Sequence, residues 1–175
     1  MTPDAEKGFK VLPLERGGAL ILSAHPASLR GLTPEQAVNQ YGELGARALL
    51  SLVTATELEQ LGLNDLSSLC IARGLDWLHA PIHDYQAPDH HFDRWWLEQR
   101  DLLHALLDQN QSVAIHCWGG RGRTGTVAAR ILVERGLSPQ VAIERVRQHR
   151  PGAIETADQE NYVLALPSAA TPGLT

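Results

Sequence analysis

The chain reads as an α/β protein with a mainly parallel central sheet of four or five strands flanked by helices. Short apolar runs fit for buried strands lie at residues 18–23 (GALILS), 48–53 (ALLSLV), 75–82 (LDWLHAPI) and 112–117 (SVAIHC). Segments with helical spacing and helix-start signals fall between and after them. Strands alternating with helices imply a parallel sheet covered on both faces, with the loops at the strand C-terminal ends forming the site. No repeat, low-complexity tract or linker divides the chain, so residues 1–175 read as one domain with a core of about 18–166 and loose termini.

Each helix has its own signal. Thr33-Pro34-Glu35-Gln36 supplies an N-cap, a first-turn proline and a boxing glutamine, so a helix runs from there to about Leu44. Residues 54–73 (TATELEQLGLNDLSSLCIAR) read as two short helices broken near Gly62, with Asn64 or Asp65 starting the second. Phe92, Trp95, Trp96, Leu102, Leu103, Leu106 and Leu107 mark a long amphipathic helix. Val127, Ala128, Ile131 and Leu132 recur at helical spacing after a glycine-rich run. Ser138-Pro139 opens a helix that stops before Pro151, and Thr156 opens the last one. Residues 166–175 are expected to be loose.

Bulk composition narrows the function. A chain of 175 residues with 43% apolar content can bury a sizeable single core. A net charge of −5 speaks against a nucleic-acid partner, because affinity for a phosphate backbone rests on a basic face. The polar start MTPDAEKGFK lacks the parts of a signal peptide, and no apolar run approaches the roughly 18 residues of a membrane helix. Cys70 and Cys117 cannot make a disulfide scaffold, so the simplest expectation is a cytoplasmic protein with no membrane partner. Nothing in the sequence speaks to oligomeric state.

The chemistry concentrates in His116-Cys117-Trp118-Gly119-Gly120-Arg121-Gly122-Arg123-Thr124-Gly125. A strand leads into this run and a helix leads out, so unpartnered amides and the positive end of the helix dipole gather there. Gly119, Gly120 and Gly122 permit successive amides to turn inward as an anion nest, with Trp118 and Arg121 as the other loop residues. Arg123 adds a planar fork able to hold two phosphate oxygens. The same surroundings favour a thiolate at Cys117, and a thiolate facing a bound phosphate is a nucleophile. Arg121 is equally well read as a substrate contact or a solvated surface charge.

The run matches the Cys-x5-Arg-Thr/Ser signature and resembles that of the protein tyrosine and dual-specificity phosphatases. Its Gly-Gly loop looks most like the kinase-associated phosphatase-like branch of that superfamily. Residues 150–159 (RPGAIETADQ) and 81–89 (PIHDYQAPD) are similar to that branch's segment after the catalytic helix and to its general-acid loop. The resemblance implies a protein tyrosine phosphatase-like fold, hydrolysis through a cysteinyl-phosphate, no cofactor and no metal, and a phosphorylated protein or peptide substrate. It implies Asp84 as general acid, with Asp89 the alternative acid and otherwise the N-cap of the following helix. Thr124 would assist departure of the sulfur, or cap the helix. Gln159 would position the attacking water, although Thr156-x-x-Gln159 is also a capping box. His116 would lie behind the loop, orienting Cys117 or supporting it electrostatically, unless it is simply a buried histidine.

Several alternatives stand beside this reading. A phosphoinositide phosphatase would need more loop cations than Arg121 and Arg123; a non-catalytic phosphate-binding module would keep the cradle without turnover. A thiol-dependent arsenate reductase would need Cys70 as resolving thiol. Cys70 either forms a reversible disulfide with Cys117 or is buried and inert. His79, His83, His90 and His91 cluster in sequence, but Pro81 argues against the helix that a metal site would use. Trp118 either walls the pocket or packs against the Trp95/Trp96 helix.

Overall fold

The four apolar runs lie side by side in the computed structural model, which describes residues 8–168. They form β2 (Ala19–Ser23), β3 (Ala46–Ser51), β4 (Asp76–His79) and β5 (Ser112–His116), and β1 (Lys10–Pro13) joins them at one edge. The order is β1-β2-β5-β3-β4, with only β1 antiparallel to its neighbour. The expected mainly parallel sheet is therefore present, with five strands. Central strands are buried on both faces: Leu20, Ile21, Leu22, Val113, Ala114 and Ile115 are 0% exposed. Full burial of such side chains stabilises the fold by about 1.5–3 kcal/mol each.

Strand limits differ from expectation for local reasons. β1 was hidden because only Leu12 of its four residues is buried, so no alternation can be read from it. Phe9 and Leu12 enter the main core, which therefore begins before the expected limit at residue 18. β4 ends at His79 rather than at Ile82, because Pro81 has no amide to donate. The chain nonetheless keeps to β3, with the Ala80 amide donating to Ser51 O (3.0 Å) and the Ile82 amide to Leu52 O (2.9 Å). These two bonds deliver Asp84 to the C-terminal edge of the sheet.

Seven α-helices surround the sheet among the described residues: α1 (Pro34–Glu43), α2 (Ala55–Gln60), α3 (Leu66–Ala72), α4 (His90–Asp108), α5 (Gly122–Glu134), α6 (Pro139–His149) and α7 (Ala157–Leu164). Capping boxes start α1 at Thr33, α2 at Thr54 and α7 at Thr156. The break between α2 and α3 falls at Gly62, which takes φ +67°. α5 packs on β2 and β5 and is backed by α6 and α7, while α1 packs on β3 and α3 on β4. No helix among the described residues is long and apolar enough to cross a membrane. Of the segment expected to be loose, residues 169–175 lie outside the described residues.

Because β5 sits between β2 and β3, the chain leaves the two neighbours of β5 in opposite directions, and a crevice opens at their C-terminal ends. Cys117 is the first residue beyond β5.

Candidate active site

The loop after β5 folds around the sulfur. Cys117 is 3% exposed, and the Gly120 amide donates to its Sγ at 3.2 Å. Gly120 takes φ +72°, and a Cβ there would fall 2.3 Å from the Ser23 carbonyl carbon. Only glycine fits where the loop runs this close to the end of β2. From the outer side, Arg150 donates through Nη2 to Gly119 O (2.9 Å) and through Nε to Gly120 O (3.1 Å). Burial, and then repulsion from Arg121, pushes this guanidinium below its ordinary pKa. By engaging the carbonyls outside, Arg150 fixes the peptide planes that turn amides inward.

Arg123, in the first turn of α5, is 1% exposed and is held from β4's side of the sheet. Its Nη1 donates to Glu57 Oε2 (2.8 Å) and Ile82 O (2.9 Å), its Nη2 donates to Glu57 Oε1 (2.9 Å), and Nη2 lies 3.1 Å from Asp84 Oδ1. Burial opposes its charge, but Glu57, Cys117 and Asp84 outweigh that and raise its pKa. Nε is buried without a hydrogen-bond partner, as is Thr124 Oγ1 one residue on. Buried donors are rarely left unsatisfied, so these two atoms mark where an acceptor belongs.

Glu57 was not singled out in the sequence, although its capping box with Thr54 is legible there. Its Oε2 accepts from the Thr54 amide (2.7 Å) as well as from Arg123, so one carboxylate caps α2 and aims the guanidinium. Burial works against its charge; the hydrogen bonds from Arg123 and Thr54 prevail and hold the carboxyl below the usual carboxylate range.

His116 is fully buried behind the loop. Its Nδ1 faces Cys117 O (3.1 Å), which can only accept, so Nδ1 carries the proton. Nε2 then accepts from the Ser51 hydroxyl (2.6 Å), whose oxygen accepts from Trp77 Nε1 (2.9 Å). The chain of donors runs one way and requires a neutral ring, and burial pushes the His116 pKa down to about 4. Of the roles open in the sequence, the geometry fits orientation of Cys117 by an uncharged imidazole.

The remaining candidates fall into place around this centre. Asp84, half exposed, reaches Arg123, whereas Asp89 accepts from the Phe92 amide (3.0 Å) as the N-cap of α4. Gln159 is buried; its Oε1 accepts from the Glu155 and Thr156 amides (3.0 and 3.2 Å) and its Nε2 donates to Gln86 O (3.2 Å). That carboxamide realises the capping box and ties α7 to the loop carrying Asp84. A Cβ on Gly122 would meet it at 3.1 Å, so α7 presses directly on the cradle. Arg121 is exposed and donates to Pro151 O at 3.4 Å.

The Trp118 ring meets His25 edge-on (centroids 5.5 Å apart), while Trp95 and Trp96 pack with Phe92. Cys70 and Cys117 are free thiols, and burial pushes the Cys70 thiol up to about 12, which suits an inert core residue. His79 donates through Nε2 to Val53 O (2.7 Å) and stacks on Trp77. Among the described residues no group of His, Cys, Asp and Glu is placed to hold a metal ion.

Comparison with known proteins agrees with this geometry. A family model described as "Polymorphic toxin system, DSP-PTPase phosphatase" matches residues 30–137. Cyclin-dependent kinase inhibitor 3 of Rattus norvegicus is 35% identical over 122 residues, 68% of this chain and 56% of that protein. The chain thus spans little more than half the length of the curated relatives it matches. Among solved structures, kinase associated phosphatase (KAP) with its catalytic-site cysteine substituted by serine is similar at 27% identity and a TM-score of 0.76, covering 89% of this chain and 90% of that one. The active form of Tk-PTP is 31% identical with a TM-score of 0.68, covering 94% and 95%.

Proposed function

The chain belongs to the family of DSP-PTPase phosphatases, and from that premise we propose that it hydrolyses phosphomonoesters on protein tyrosine, serine or threonine through a cysteinyl-phosphate intermediate. The observation that carries this reading is the pair of buried, unpartnered donors, Arg123 Nε and Thr124 Oγ1, beside a sulfur that already accepts from Gly120. A tetrahedral dianion seated on the loop amides would supply the missing acceptors.

In the first step the Cys117 thiolate attacks phosphorus, the P–O bond to the leaving group breaks, and Asp84 gives its proton to the departing oxygen. Loop amides and Arg123 stabilise the equatorial oxygens as charge redistributes. In the second step the Asp84 carboxylate takes a proton from water as that water attacks phosphorus, and the sulfur leaves as thiolate, assisted by the Thr124 hydroxyl. Asp84 lies within reach of both events, since it contacts the guanidinium that would hold the phosphate. Its contact with Arg123 would yield to substrate oxygens on binding.

The thiol-transfer alternative loses support, because Cys70 is buried and held protonated and so makes a poor resolving thiol. Two free cysteines fit a reducing compartment, which is the basis for placing the protein in the cytoplasm. The test uses an aryl phosphate. Cys117→Ser should abolish release of phosphate, and Asp84→Ala should lower kcat about 10²–10⁴-fold while allowing acid-quenched phosphoenzyme to accumulate. Full turnover by either variant would remove the assignment.

A further inference from the structure

A cleft of about 540 Å³ lies at the end of the molecule away from Cys117, between the β1–β2 turn (residues 14–18), the last turns of α4 and α5, and α6. α5 carries Arg123 in its first turn, and Arg135, at the cleft, follows its last residue. At the helical rise per residue, the two are about 18 Å apart. A cavity of this size suits a small ligand, given an apolar floor and a few fixed polar groups. The floor is present: Leu132 is 2% exposed, and Leu14 and Leu137 pack against the core. Three guanidiniums, those of Arg16, Arg135 and Arg145, line the cleft as well.

Two of these guanidiniums are anchored by backbone carbonyls. Arg135 donates through Nη2 to Arg16 O (2.8 Å), and through Nη1 to His104 Nδ1 (3.3 Å). Arg145 donates through Nη2 to Pro13 O (2.7 Å). Their acidic partners are held far less firmly. Asp108 accepts from Arg135 Nη2 at 2.9 Å and Glu15 from Arg145 Nη1 at 3.3 Å, yet these carboxylates are 68% and 75% exposed where the guanidiniums are 14% and 24%. Ion pairs to such solvated carboxylates are weak and easily exchanged. The third carboxylate of the lining, Glu134, is already matched from behind by Trp96 Nε1 (2.8 Å) and Arg130 Nε (3.2 Å). Arg16 is exposed, and its side chain has no hydrogen bond or ion pair among the described residues. The cleft thus holds more positive charge than its own carboxylates neutralise.

We propose that this cleft is a second ligand site, which binds a small organic carboxylate with an apolar body, such as an aromatic or medium-chain fatty acid. The ligand's carboxylate takes the place of an exposed acidic side chain on an anchored guanidinium, whose planar fork suits two oxygens. Its body covers Leu14, Leu132 and Leu137 and removes their apolar surface from water. The displaced Asp108 or Glu15 side chain moves into solvent that already surrounds most of it. The site shares no residue with the cradle around Cys117 and stands independently of the phosphatase reading.

Backbone-amide spectra of isotope-labelled protein, titrated with naphthoate and with octanoate, read the site directly. Saturable shifts are expected at residues 14–17 and 132–137 and not at 117–124, with a Kd of about 1 mM or tighter. Arg145→Gln should weaken binding about tenfold, and Arg16→Ala, which has no native partner to lose, about threefold. Asp108→Asn combined with Glu15→Gln removes the competing carboxylates and should tighten binding about threefold, an effect that ion pairs serving only to staple the fold would not give. The uncharged naphthamide and octanamide should bind at least about tenfold more weakly than the acids. The site is overturned if neither acid gives saturable shifts up to about 10 mM, if the shifts are confined to residues 117–124, or if the amides bind as well as the acids. Affinity unchanged in both Arg16→Ala and the Asp108→Asn, Glu15→Gln double variant overturns it too. Turnover enters none of these measurements, so loss of the phosphatase reading would leave their outcome unaffected.

Discussion

Glu57→Gln tests whether one distant carboxylate aims the cradle. Arg123 is 1% exposed and Glu57 14%, and two charge-assisted hydrogen bonds of 2.8 and 2.9 Å join them. Removing one partner of such a buried pair costs about 3–5 kcal/mol, because the other charge is left uncompensated. We expect about 3 kcal/mol, the lower end of that range, since Ile82 O and Asp84 still contact the guanidinium. For a domain of this size that is a fall in Tm of roughly 6–12 °C. A guanidinium displaced by about 1 Å should also lower kcat/KM about 10²-fold. The pH dependence adds a separate check. With its folded pKa held low, Glu57 contributes fully above the unfolded value of about 4.3 and loses that contribution as pH falls through the lower folded value. Urea unfolding from pH 7 to pH 3 should thus show an acid limb in the wild type that is flatter in Glu57→Gln. A variant within about 1 kcal/mol of wild type and threefold of its activity would refute the clamp.

Two further perturbations probe the supports of the loop. Arg150→Ala removes the donors to Gly119 O and Gly120 O and should raise the orthovanadate inhibition constant about tenfold, with partial recovery in Arg150→Lys; an unchanged constant would show that the loop holds its own shape. His116 should be neutral with its proton on Nδ1, which nitrogen chemical shifts can read directly. Its folded pKa of about 4 lies below the ordinary 6.5, so its contribution is complete above pH 6.5 and is lost as pH falls toward 4. At about 1.4 kcal/mol per unit, most of 3 kcal/mol should disappear over that window, and His116→Asn should flatten it. A histidine that titrates near 6.5 in the folded protein would contradict the donor chain.

What was legible in the sequence, and what was not, follows from the range of each contact. The loop from Cys117 to Thr124 carries its own signal, because the strand before it, the glycines and the helix after it are consecutive. Capping boxes at Thr33, Thr54 and Thr156 are equally local and appear where the sequence places helix starts. β1 was missed because a four-residue edge strand with one buried side chain has no readable period. The second roles of capping residues were hidden for a different reason. Glu57 reads as a cap to Thr54 three residues away, while its bond to Arg123 spans 66 positions; Gln159 reads as a cap to Thr156, while its bond to Gln86 spans 73.

The same division explains how the site is built. Local sequence determines that amides can point inward, but distant groups determine that they do. Ser23 at the end of β2 leaves room only for glycine at 120, Arg150 beyond α6 engages two outward carbonyls, and Glu57 at the start of α2 aims Arg123. These groups meet because β5 lies between β2 and β3, which brings their C-terminal ends to one edge. A peptide of the loop alone would have the glycines and lack all three supports, so its affinity for a phosphate dianion should be far below that of the folded chain. The cradle is a property of the sheet order as much as of the motif.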